Sequence, residues 1–127
     1  MPPARLLIAD DKSTMRSILR TLLAQRHELE VCGEASNGFE AVEKTKALRP
    51  DLVLLDVSMP KMTGIEAASI LKSQCPDTSV ILFTMYSENI GKALRSAIGV
   101  DAVLSKPDGL AALLKTIEDV LEQRSPS

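Results

Sequence analysis

The chain has no tryptophan, a single histidine and two cysteines, and only 2% of its 127 residues are aromatic. So few His and Cys residues leave no metal site at the ligand spacing of zinc proteins. Nor can a Ser–His or Cys–His nucleophile arrangement be read, and His27 reads as a surface residue at the end of the first helix. Cys32 and Cys75 could pair. Without a secretory leader, however, they read as buried free thiols in a reducing compartment. No apolar run approaches ~18 residues, so no membrane span is expected. The start, "MPPARLLIADD", has one Arg, a short apolar run and two acids, unlike a signal peptide. A cytoplasmic location follows as an expectation. There is no excess of positive charge either: 15 Lys and Arg stand against 17 Asp and Glu, a net charge of -2. Phosphate backbones need a basic stripe, so no direct nucleic-acid contact is expected. Repeats, low-complexity tracts and internal linkers are missing. Only "EQRSPS" looks frayed, which assigns 1–124 to one domain and 125–127 to a polar tail or the start of a linker.

What is present is a composition 45% apolar and 25% charged, enough for one buried core. Five short apolar runs, Leu6–Ala9, the weaker Glu30–Gly33, Leu52–Leu55, Val80–Phe83 and Ala102–Leu104, suit strands buried on both faces. Segments with helical spacing alternate with them. Met15, Ile18, Leu19, Leu22 and Leu23 make the first apolar face, and Leu110, Leu113, Leu114, Ile117, Val120 and Leu121 the last. Ala41, Val42, Thr45 and Leu48 make a fainter one, as do Ile65, Ala68, Ile70 and Leu71. The weakest helix is predicted over 87–98, where Gly91 costs ~1 kcal/mol relative to Ala. Asn37-Gly38 and Lys106-Pro107-Asp108 are helix-start signals. Five βα units imply a three-layer α/β fold of flavodoxin type, a parallel sheet in the order 2-1-3-4-5.

In such sheets ligands bind beyond the carboxyl ends of the strands, near the switch point between the first and third. The residues at those ends are Asp10-Asp11, Asp56, Thr84 and Ser105-Lys106. Two unit charges ~4 Å apart repel by about 4 kcal/mol at an effective dielectric near 20. Lys106 alone cannot offset three acids, so the group predicts a divalent cation. All-oxygen ligands in a half-open site favour Mg²⁺. A carboxylate beside Mg²⁺, with a hydroxyl and an ammonium to hold oxygens, suits phosphoryl transfer onto Asp56. Singly, each residue has an ordinary reading: Asp10 and Asp11 as helix caps, Asp56 as turn chemistry, Thr84 as a strand residue, Lys106 as a surface charge. Their convergence at one edge favours the joint reading.

The blocks "LLIADDKSTMR", "LLDVSMPKMTGIEA", "VILFT" and "VLSKP" resemble the receiver domain of bacterial two-component response regulators. The first is similar to the chemotaxis regulator, the second to regulators with DNA-binding output domains. The resemblance covers essentially the whole chain. It implies that Asp56 accepts a phosphoryl group from a kinase phosphohistidine. Asp11, Asp56 and the backbone carbonyl of Ser58 would ligate Mg²⁺, with Asp10 acting mainly through a water. Thr84 would turn to the phosphoryl oxygens and Lys106 would pair with one of them. Lys106-Pro107 matches a pair typically joined by a cis peptide. The implied partners are a sensor histidine kinase or phosphotransfer protein, and a downstream protein target or fused output domain. The protein would be a signalling domain that assists its own phosphorylation and dephosphorylation, not an enzyme in its own right. A phosphorylation-dependent homodimer is allowed.

Two positions depart from the family pattern. Val103 stands where an aromatic switch residue is usual, with Tyr86 as a substitute. Ser58 and Met85 flank the path of a hydrolytic water without orienting it, which implies a long-lived phosphoryl group. Rival readings are weaker. A haloacid-dehalogenase-type phosphatase wants a second Asp where Ser58 stands. A flavodoxin binding FMN wants a phosphate loop where "DDKSTMR" places two carboxylates. A receiver-like interaction module without phosphotransfer would not need all five residues.

Overall fold

The computed structural model describes residues 2–84 and 99–124; the side chains of 84, 105–109 and 124 lie outside that description. Five strands form one sheet: β1 (Ala4–Ala9), β2 (Leu29–Ala35), β3 (Leu52–Asp56), β4 (Ser79–Thr84) and β5 (Ala102–Ser105). Their order is β2-β1-β3-β4-β5, with every pair parallel. Four described helices accompany them: α1 (Ser13–Leu23), α2 (Gly38–Leu48), α3 (Gly64–Gln74) and α4 (Lys106–Arg124). The predicted helix over 87–98 lies outside the described residues.

Alternation along the strands divides the interior into two cores. Leu7, Ala9, Val53, Leu55, Val80 and Leu82 face α2 and α3, joined by Ala41, Val42, Ala67, Ala68 and Leu71. Leu6, Ile8, Leu52, Leu54, Ile81 and Phe83 face the other way, with Leu19, Leu23, Leu113, Ile117 and Val120 from α1 and α4. A strand covered on both faces has no solvated side, so its sequence reads as an unbroken apolar run. The helical stripes are narrower than the sequence implies. Ile18 is 43% and Leu110 39% exposed, while Ala67, too small to signal a core face, is fully buried.

The edge strand β2 is longer than its apolar run. Leu6 pairs with Val31 and Leu7 with Gly33, so Cys32 is the extra residue of a β-bulge. Both cysteines are free and half-buried; burial, opposed by the nearby Arg5, pushes the Cys32 thiol above its ordinary value. His27 is exposed, in the turn beyond the end of α1.

Helix starts follow local chemistry. The Asn37 side chain accepts from the Glu40 N–H at 2.8 Å and caps α2. Thr63 and Glu66 form a reciprocal capping box on α3. No cis peptide bond occurs among the described residues. Helix α4 is traced from Lys106, with Pro107 in the first turn, where a missing N–H costs nothing. The Lys106–Pro107 linkage, which the resemblance implies is cis, falls among residues whose side chains lie outside the described ones.

Candidate functional site

Strand β1 ends against β2: the Asp10 N–H donates to the Ala35 carbonyl at 3.0 Å. Asp10 is buried, and its Oδ1 accepts the Lys12 N–H at 2.9 Å. That bond makes the turn into α1, whose N-cap residue Lys12 offers no side-chain cap. The capping role open to Asp10 is thus partly real: the carboxylate orders the turn one step before the helix. Asp11, next in line, is exposed.

Asp56 closes β3, paired with Phe83 in the ladder, and the Val57 N–H continues to the Phe83 carbonyl at 3.2 Å. It is also buried, and its Oδ1 accepts the Ser58 N–H at 3.3 Å. Oxygens of Asp10, Asp11 and Asp56 lie within 4.8 Å of one another. Two of these carboxylates are buried and one faces solvent, which is a half-open, all-oxygen donor set. Such a set fits a hard divalent cation that keeps part of its water shell.

The loop from Asp56 to α3 is held on all sides. The buried Met59 side chain anchors it in the α2/α3 core. The Met62 N–H donates to the Pro60 carbonyl at 2.7 Å around Lys61, whose φ is 67°. This is a γ-turn in the sterically costly left-handed region, next to the carboxylate cluster. Two glycines admit close approach. A Cβ on Gly64 would lie 2.0 Å from the Asp56 carbonyl oxygen, and one on Gly38 would lie 2.2 Å from the Met62 oxygen. The Gly64 N–H donates to Val57 O at 2.9 Å, and the Gly38 N–H to Met62 O at 3.0 Å.

Beside the cluster, Glu34 accepts from Arg16 Nε at 3.1 Å and from Arg20 Nε at 2.7 Å. The Arg20 hydrogen bond, aided by Arg16, holds the Glu34 carboxyl below its ordinary pKa. Around the start of α2, Ser36 does the same for Glu40 through its hydroxyl, at 2.9 Å, and its N–H. A carboxyl whose folded-state pKa is depressed adds stability above its unfolded pKa and loses it as pH falls through the folded value. Glu34→Gln is therefore expected to melt below the wild type at neutral pH. The gap should close as pH drops below the ordinary carboxylate range, as thermal melts across that range would show.

Of the site residues predicted from sequence, Asp10, Asp11 and Asp56 converge. Ser58 is exposed at the start of the loop, bonded through its N–H to Asp56. Thr84 ends β4 opposite Ser105, and Lys106 opens α4, so their backbones reach the same edge of the sheet; their side chains lie outside the described residues. Met85 and Tyr86 lie outside them altogether. Val103 is half-buried against the α2/α3 core. Sequence reasoning passed over Arg16, whose Nη1 donates to the Asp10 carbonyl at 2.6 Å. No motif signals a contact to a backbone oxygen. A cleft of about 330 Å³ at the opposite edge is lined by Arg49, Asp51, Cys75 and Asp77. There Asp51 already accepts the Arg5 N–H at 2.8 Å.

The model of the response regulator receiver domain matches residues 6–118. An uncharacterized transcriptional regulatory protein of Bacillus subtilis, YhcZ, is 40% identical over 88% of this chain and 52% of its own length. A protein-glutamate methylesterase/protein-glutamine glutaminase of Nocardioides sp. is 34% identical over 99% of this chain and 35% of its own. The chain thus spans about half, or about a third, of these relatives. Among solved structures, a chain of the CheX–CheY–BeF3–Mg complex from Borrelia burgdorferi superposes with a TM-score of 0.85. It is 28% identical, over 94% of this chain and 90% of that one.

Proposed function

The chain belongs to the response regulator receiver domain family, and from that membership we propose that Asp56 is its phosphoacceptor. The observation that carries the proposal is the meeting of Asp10, Asp11 and Asp56 within 4.8 Å where β1 and β3 leave the core. Receiver domains bind Mg²⁺ at such an acidic pocket. In this chain Asp11, Asp56 and the Ser58 carbonyl would hold the ion directly, and Asp10 through water. The bound ion supplies the positive charge that lets a phosphoryl group approach three carboxylates.

An Asp56 oxygen attacks phosphorus. The new O–P bond forms as the P–N bond to the donor imidazole breaks, and the electron pair leaves with the imidazole. Burial holds the Asp56 carboxylate in one direction, and the Ser58 N–H restrains one of its oxygens. Thr84 and Lys106 are assigned to the phosphoryl oxygens, on the strength of the strand ends that carry them.

The donor would be a histidine kinase or a phosphotransfer protein, in the cytoplasm. No described helix is long and apolar enough to cross a membrane. Both curated relatives are longer proteins, a transcriptional regulator and a methylesterase. The output of this chain would therefore run through a fused domain or a separate protein target, with a phosphorylation-dependent dimer as one form of the switch.

Incubation with Mg²⁺ and acetyl phosphate, followed by intact mass, tests the chemistry. The wild type is expected to gain one phosphoryl group, and Asp56→Asn or the addition of EDTA to abolish the gain. A modified Asp56→Asn protein would assign the acceptor elsewhere.

A further inference from the structure

We infer that Arg16 is a positioning residue for the Asp10–Asp11 pair and thereby sets the affinity of the site for its cation. The inference rests on the reading of Asp10, Asp11 and Asp56 as that site.

Arg16 lies in the first turn of α1 with its side chain 19% exposed. One end of the guanidinium donates to the Asp10 carbonyl at 2.6 Å, while Nε donates to Glu34 at 3.1 Å. Glu34 is itself held by Arg20, and its backbone carbonyl accepts from Lys44 Nζ. Asp10 is thereby fixed through its N–H by Ala35, through its carboxylate by Lys12, and through its carbonyl by Arg16.

The third of these contacts bears on Asp11. The Asp10 carbonyl belongs to the planar peptide that joins the two acids. A donor that fixes this oxygen fixes the plane from which Asp11 departs. Asp11 is exposed, so the approach of its carboxylate is set by the backbone and not by packing around the side chain.

Charge alone argues the other way. A guanidinium beside a cation site repels the cation, so deleting it should tighten binding. Orientation of the peptide predicts that deletion weakens binding. The sign of the change separates the two. Arg20 supplies an internal control, since it shares Glu34 with Arg16 and has the same charge, yet among the described residues its side chain hydrogen-bonds and pairs only with Glu34.

The experiment is a calorimetric titration of the full chain with Mg²⁺, with urea unfolding of each metal-free variant alongside. Arg16→Gln is expected to weaken Mg²⁺ binding about tenfold, the range seen when partners that orient a ligand are removed. Arg20→Gln is expected to stay within about twofold of wild type. Arg16→Lys keeps the charge but not the fork, and should lose at least about threefold; it carries the test if Arg16→Gln does not fold. Unchanged or tighter binding by the Arg16 variants, or an equal loss in Arg20→Gln, overturns the inference. A wild type that takes up no Mg²⁺ overturns the cation-site reading, and this inference with it.

Discussion

Gly64→Ala is expected to lower the unfolding free energy by about 3 kcal/mol, seen as a fall in the urea midpoint with little change in slope. The added methyl group would sit 2.0 Å from the Asp56 carbonyl oxygen, 2.8 Å from its carbon and 2.9 Å from the Val57 Cα. All three are backbone atoms at the buried end of β3 and the residue after it, so no flexible side chain can yield. Relief requires α3 to move away from β3. That would break the Gly64–Val57 hydrogen bond and disturb the Thr63–Glu66 capping box. The same shift drags the peptide that carries Asp56, so phosphorylation by acetyl phosphate should slow beyond what the fraction unfolded explains. An unchanged midpoint would mean that the helix start can slide at little cost.

Asp56→Asn is expected to do the reverse to stability. In metal-free buffer it should unfold at higher urea than wild type, by about 1–3 kcal/mol. Pairs of carboxylates up to 4.8 Å apart repel by roughly 3–4 kcal/mol each at an effective dielectric near 20, and solvent at Asp11 together with the groups that interact with Asp10 and Asp56 reduces that. The amide retains an oxygen to accept the Ser58 N–H, so the local geometry survives. Added Mg²⁺ should shrink the difference, because a cation bound only by the folded wild type stabilises it by mass action. A variant less stable than wild type under metal-free conditions would show that the three acids are already compensated within the protein. The residue proposed to carry the chemistry is thus also expected to be one whose replacement stabilises the resting fold.

The strands were legible because burial on both faces leaves an unbroken apolar run, and Leu52–Leu55 differs from β3 only by the addition of Asp56. The edge strand β2 was underestimated for the same reason: one neighbour and a bulge at Cys32 break the run. Helical faces were read too widely at Ile18 and Leu110 and too narrowly at Ala67, since spacing marks direction but not depth. The acidic cluster could be located because topology places strand ends together whatever lies between them. Its supports could not. Gly64 gives no signal of its own in the sequence, since contact with the Asp56 carbonyl is what excludes a side chain there. Arg16 was passed over, because its partner is a backbone oxygen six residues earlier.

The backbone contact between Gly38 and Met62 has a mechanical consequence. At 3.0 Å, with no space for a single carbon between them, the first turn of α2 and the loop beside Asp56 cannot be pressed closer, and parting them costs a backbone hydrogen bond, about 1 kcal/mol. They form one lever. Phe39, the next residue along, is 58% exposed and rides on its outer end. A movement of the loop at Asp56 toward α2 is therefore expected to reach the solvent-facing start of that helix across a single peptide-to-peptide contact.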